Sequence, residues 1–107
     1  MVEINIALDF SDTPGGRYRK EGLFSGEEFR EDALKPLYIK ALEHGEKLYI
    51  NMDGCYGYPS SFIDESFGGL SRELNDPNIM DNIVIKCDEQ PNIIDEIKEC
   101  INKKRGK

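Results

Sequence analysis

The sequence predicts an α/β domain: a mixed sheet with helices packed on it. Three observations carry this. Apolar residues alternate with polar ones near Val2, Leu48 and Ile83; apolar stripes at helical spacing follow Ser61 and Pro91; and the two kinds of segment alternate along the chain. The 107 residues read as one domain spanning 1–107, long enough to bury roughly 60–70% of the unfolded chain's surface.

Val2, Ile4, Ile6, Leu8 and Phe10 alternate with Glu3, Asn5, Ala7 and Asp9, which predicts a half-buried strand. Ser11 to Gly16 is a turn, and RYRKEG after it reads as a short exposed strand closing a hairpin, an antiparallel edge to the sheet. Ser25 and Glu28 form a capping box that starts a helix. Pro36 would clash inside a continuous helix, so a break is expected at Lys35, with a second segment from Pro36 to His44 ended by Gly45.

Leu48, Ile50 and Met52 alternate in the next strand, which runs into Asp53 and Gly54. Ser60 and Ser61 follow Pro59 as competing N-caps, and Ser61 with Asp64 resembles a capping box. Ile63, Phe67, Leu70 and Leu74 then form one helical stripe with Phe62 at its margin. Gly68 and Gly69 inside it each cost up to about 1 kcal/mol against Ala, which calls for close packing at that point. Asp76-Pro77-Asn78 ends the helix, Asn82 to Cys87 makes a strand, and Pro91 opens a last helix buried through Ile93, Ile94, Ile97 and Ile101.

A formal charge of −7 argues against duplex nucleic acid as a partner. The basic residues Lys103, Lys104, Arg105 and Lys107 read as a solvated helix end. No apolar run reaches the ~20 residues of a membrane helix, and Met1 to Phe10 lacks the apolar centre of a signal peptide, so a cytoplasmic protein is expected. Cys55, Cys87 and Cys100 form no CxxC pair and are read as free thiols. His44 is the sole histidine, and no zinc spacing surrounds it; no metal and no cofactor are expected.

The stretch from Lys47 to Leu74 holds the candidate site, because ligands and partners of α/β folds gather where strand ends meet helix N-termini. Asp53 closes the strand and reads either as a turn acceptor or as a functional carboxylate. Cys55 in the loop would suit a nucleophile activated by a helix N-terminus. A phosphatase-like loop, however, carries an arginine after five intervening residues, where this chain has Ser61. Ser60 and Ser61 are caps or phosphoacceptors. Tyr56 and Tyr58 are loop-closing rings or aromatic anchors for a partner, with Glu65, Gly68 and Gly69 extending that surface. Arg17 and Arg19, with the serines, form an alternative anion-binding set.

GRYRKEGLFSGEEFREDALKPL and INMDGCYGYPSSFIDESFGGLSREL resemble the SGExFR and DGxxGYxSSFxxExFGGL segments of bacterial STAS-like domains of uncharacterised function. The resemblance implies a four- or five-stranded sheet backed by helices, related to antagonists of anti-sigma factors. It also implies a binding switch, in which a partner kinase of the histidine-kinase-like ATPase type phosphorylates a serine in the loop before the helix and so weakens the complex; the partner expected is such an ATPase or an anti-sigma-like protein. Ser60 and Ser61 correspond to that serine by position. The usual Asp-Ser-Ser-Gly reads here Pro59-Ser60-Ser61-Phe62. The leading expectation is a non-enzymatic regulatory module that binds a protein partner; the alternatives are a small-ligand or nucleotide site at the helix N-terminus, and a Cys55-dependent enzyme.

Overall fold

The computed structural model describes residues 1–102; the basic tail from Lys103 onward lies outside the described residues. Strand β1, Val2–Asn5, begins as the alternation predicts, but stops halfway. Asn5 turns the chain into a short helix, α1 (Ile6–Asp9), because its side chain accepts from Leu8 N at 3.1 Å while the Asp9 carboxylate accepts from Asn5 N at 2.8 Å. This reciprocal cap outweighs the strand pattern, and Leu8, expected on the core face, is exposed.

The hairpin is also absent. Residues Arg19–Glu21 form a 3₁₀ turn instead, because Glu21 Oε1 accepts from both Arg17 N and Tyr18 N at 3.1 Å and Glu27 Oε1 accepts from Arg19 N at 2.9 Å. Donors that a strand partner would have taken are satisfied locally by carboxylates. Among the described residues the sheet is therefore three-stranded and all parallel, in the order β1, β2 (Leu48–Asn51), β3 (Ile83–Lys86), rather than mixed with four or five strands.

Helix α2 covers residues 26–43. Ser25 Oγ accepts from Glu28 N at 3.0 Å as expected, while the Glu28 carboxylate accepts from Phe24 N at 2.9 Å. The chain does not break at Lys35: Gly26–Phe29 is α, Arg30–Leu34 is a π turn with Lys35 N bonded to Arg30 O, and Lys35–Glu43 is α again. Widening the helix by a residue accommodates Pro36, which has no N–H and whose ring would strike the preceding turn. Gly45, at φ +66°, ends the helix; its N–H bonds Leu42 O at 3.1 Å and Glu46 N bonds Ala41 O at 2.8 Å, a complete Schellman motif.

Helix α3, residues 60–74, has the same build: Ser60–Ile63 is α, Asp64–Gly68 is π and Gly69–Leu74 is α, ending at left-handed Asn75. A short helix α4, Ile79–Asn82, was not anticipated; it precedes β3, and α5, Asn92–Asn102, closes the described chain. Right-handed crossovers in strand order β1, β2, β3 put α2 and α3 on one side of the sheet. Burial agrees: Val2, Ile4, Leu48, Ile50 and Ile83 pack under Phe29, Phe62, Phe67 and Ile97, while Glu3, Tyr49 and Val84 face outward.

Candidate functional site

The carboxyl ends of the strands meet at the loop from Met52 to Pro59. The Asp53 carboxylate bridges it to the loop after β3: one oxygen accepts from Glu89 N at 2.9 Å and the other from Lys86 Nζ at 2.7 Å. Glu89 returns the contact, its Oε1 accepting from Gly54 N at 2.9 Å. The Glu89 N–H, followed by the Lys86 ammonium, holds Asp53 below the ordinary carboxylate range. Asp53 thus acts as a cross-link between two loops, with Lys86 also 2.9 Å from Asp88.

Cys55 and Tyr58 point inward. Tyr58 Oη donates to Met52 O at 2.7 Å and lies 3.0 Å from Cys55 Sγ, whose other neighbour is Ser11 O at 3.4 Å. Burial pushes the Cys55 thiol up, against the Tyr58 hydroxyl and with Asp12 and Glu89 adding to the rise. Burial also drives the Tyr58 phenol far upward. Both groups are neutral at neutral pH, and their bonds close the loop from inside. Between them Tyr56 is turned out, 85% exposed, with its backbone N–H bonded to Asp12 O at 2.9 Å.

The helix after the loop starts at Ser60, with Pro59 as its N-cap. Ser60 and Ser61 are therefore its first two residues rather than caps, Ser60 exposed and Ser61 half-buried. The expected Ser61 and Asp64 box does not form. Arg17 Nη1 donates to Asp64 Oδ2 at 2.7 Å, and Arg72 Nη1 approaches Asp64 Oδ1 at 3.4 Å.

Asp64 leads into a second cluster, which joins α2 to α3. Arg30 Nη1 donates to Glu65 Oε2 at 2.5 Å and to Glu65 O at 2.9 Å, and Arg17 is 3.6 Å from Glu65 Oε1. Lys35 pairs with Glu73. Arg19 pairs with Asp32 at 2.9 Å and Glu31 at 3.1 Å. The predicted anion-binding arginines thus already hold carboxylates of their own chain, and neither makes a hydrogen bond with Ser60 or Ser61.

The glycine pair packs closely, as anticipated, but against helices rather than a strand. A Cβ on Gly69 would lie 2.6 Å from Arg30 Nη1, and one on Gly68 3.3 Å from Cys100 O. Tyr58, Gly68 and Gly69 are buried inside the chain and Glu65 is held by Arg30, so of the predicted surface Tyr56 and Ser60 are exposed, with Asp53 and Ser61 half-buried beside them. Sequence reasoning missed Glu89, Lys86 and Arg30. Only Arg30 left a signal, as the last residue of SGEEFR.

A protein-family model described as "STAS-like domain of unknown function (DUF4325)" matches residues 25–92. The chain belongs to this STAS-like family. The matched span runs from the N-cap of α2 to the start of α5, so it contains the Asp53–Glu89 and Arg30–Glu65 pairs and leaves β1, Arg17 and Arg19 outside. No curated protein and no solved structure matches this STAS-like chain. Among the described residues, no helix is long and apolar enough to cross a membrane.

Proposed function

We propose that this STAS-like domain is a non-enzymatic regulatory module in the cytoplasm that presents the loop around Tyr56, with Asp53, Ser60 and Ser61, to a protein partner. The observation that carries this reading is the contrast at Tyr56: its ring is 85% exposed while the loop beneath is tied to Asp12, Met52 and Glu89. An aromatic side chain on a backbone that is already ordered loses little entropy on docking and suits an anchor. Asp12, Asp53, Asp88 and Glu89 around the loop outnumber Lys86, which pairs with Asp53 and Asp88, and the negative excess favours a partner surface rich in lysine or arginine.

The partner classes implied by the resemblance are a histidine-kinase-like ATPase and an anti-sigma-like protein. A phosphate on exposed Ser60 would add up to about two negative charges at the rim of that surface. The nucleotide-binding alternative has less support, because Arg17 and Arg19 are engaged with carboxylates.

Affinity purification from the native cell, repeated with Tyr56→Ala and Ser60→Asp, tests the reading. A specific partner lost from both variants is expected; a partner retained by both overturns this surface. Thermal unfolding with nucleotides at millimolar concentration tests the alternative, for which a raised midpoint is required.

A further inference from the structure

Three apolar side chains stand far out of the surface of the described residues. Tyr56 is 85% exposed, Leu8 82% and Leu23 78%, while every other large apolar residue except Met1 is at 43% or below. All three lie along one stretch of chain. Ala7 packs on Gly54, where an added Cβ would lie 3.1 Å from its own; Asp12 O accepts from Tyr56 N at 2.9 Å; and Gly15 N donates to Phe24 O at 2.7 Å, next to Leu23. Beneath them Tyr58, Phe62, Phe10 and Phe24 form a row of rings with successive centroids 6.1, 6.2 and 5.5 Å apart. The exposed side chains therefore share an ordered base.

The backbone at Phe24 is strained. Its φ is +59°, a region costly for an aromatic residue, and it is held there by the Glu28 carboxylate on its N–H and by Gly15 on its carbonyl. The reversal sets the Phe24 ring edge-on to Phe10 and leaves Leu23 outside. Enforced strain of this kind is concentrated at functional sites.

We infer that Leu8, Leu23 and Tyr56 together dock one amphipathic helix of a partner protein, apolar on the contact side and bordered by lysine or arginine. The inference rests on the reading of Tyr56 as a partner anchor. Charge selects the border: Asp12, Asp53, Asp88 and Glu89 face the single ammonium of Lys86, while Arg17 and Arg19 hold Asp64 and Asp32, and Lys20 lies over the Tyr18 ring. Backbone selects the helix. The N–H groups of Leu8, Gly15, Phe24, Gly54 and Tyr56 are all bonded within the chain, so the surface offers side chains and no strand edge. A helix, which satisfies its own backbone, meets such a surface without loss.

A synthetic helical peptide of leucine and lysine, titrated into the full chain and followed by amide shifts, tests the inference. The shifts are expected to gather at Leu8, Leu23 and Tyr56, and the double variant Leu8→Ser/Leu23→Ser to weaken binding roughly fivefold or more. The same peptide with glutamate in place of lysine is expected not to bind, a comparison that uses the unaltered chain. No shifts up to millimolar peptide, shifts confined to other residues, equal binding of the glutamate peptide, or an affinity unmoved by the double variant would each overturn the proposal. Purification from the native cell separates it from the reading on which it rests. A partner lost from Tyr56→Ala but retained by Leu8→Ser/Leu23→Ser overturns the helix dock and leaves Tyr56 as an anchor; a partner retained by both variants overturns both.

Discussion

Arg30 and Glu65 join the two π turns of the fold: Arg30 Nη1 lies 2.5 Å from the Glu65 carboxylate and 2.9 Å from its carbonyl, with both side chains only 13% exposed. A pair this buried costs desolvation on both sides, so its value lies in never being half made. Removing Arg30 leaves Glu65 with only the more distant Arg17, and leaves the Glu65 carbonyl without its side-chain donor. Arg30→Met is expected to cost about 3 kcal/mol in urea unfolding, and the Arg30→Met/Glu65→Met double variant clearly less than the sum of the two single changes. Additive losses would show that the contact is not a coupled pair.

The same helix crossing depends on glycine. A Cβ on Gly26 would lie 2.7 Å from Phe62 O and 2.9 Å from Glu65 Cβ, and one on Gly69 2.6 Å from Arg30 Nη1, the nitrogen that holds Glu65. Helix propensity favours alanine at both places by about 1 kcal/mol. Gly26→Ala is nevertheless expected to lose about 1–3 kcal/mol, since backbone must move apart, and Gly69→Ala to destabilise by pushing Arg30 off Glu65. Equal midpoints for Gly26→Ala and the parent in thermal unfolding would contradict the close approach.

What was legible in the chain was what depends on near neighbours. Of the stripe Ile63, Phe67, Leu70 and Leu74, the first three are buried and Leu74 is half-buried, and Gly45 ends its helix where expected. Misreadings arose where local capping competes with periodicity: Asn5 with Asp9, and Glu21 with Arg17 and Tyr18, use side chains to redirect backbone that alternation alone would keep extended. The position of Asp53 was readable, but its partner Glu89 is 36 residues away and Arg30 is 35 from Glu65. No spacing rule reports such pairs; they exist only after the helices dock. The exposure of Tyr56 and burial of Tyr58, two residues apart, likewise follow from which ring reaches the Met52 carbonyl.

Tyr38 supplies a pH test of packing. Its hydroxyl donates to Asp76 at 2.7 Å and accepts from Asn82 at 3.0 Å, and burial pushes its pKa up to about 12. In the unfolded chain a tyrosine ionises near 10. Between these values the folded state holds the proton that the unfolded state has lost, so stability is full below about pH 10 and falls as pH rises toward 12. Tyr38→Phe removes this contribution to the alkaline slope, measured by urea unfolding at stepped pH. An unchanged slope would place the titrating group elsewhere.

Cys55 decides between docking and cysteine chemistry. A catalytic thiol needs a depressed pKa and access, whereas Cys55 is 7% exposed, its thiol is pushed up by burial, and the nearby Asp12 and Glu89 carboxylates further disfavour a thiolate. Tyr58 is the one group that favours the thiolate, through its hydroxyl at 3.0 Å. Iodoacetamide at neutral pH should therefore alkylate Cys55 in the folded chain clearly more slowly than in the denatured chain, since a raised pKa lowers the thiolate fraction and burial slows access further. Tyr58→Phe takes away the Met52 bond that closes the loop and should speed this reaction while costing about 1–3 kcal/mol of stability. The two effects together identify Tyr58 as the latch on a buried thiol. A fast Cys55 reaction in the parent chain, slowed by Tyr58→Phe, would instead mean that the phenol activates a nucleophile, and the binding-module reading would give way to catalysis.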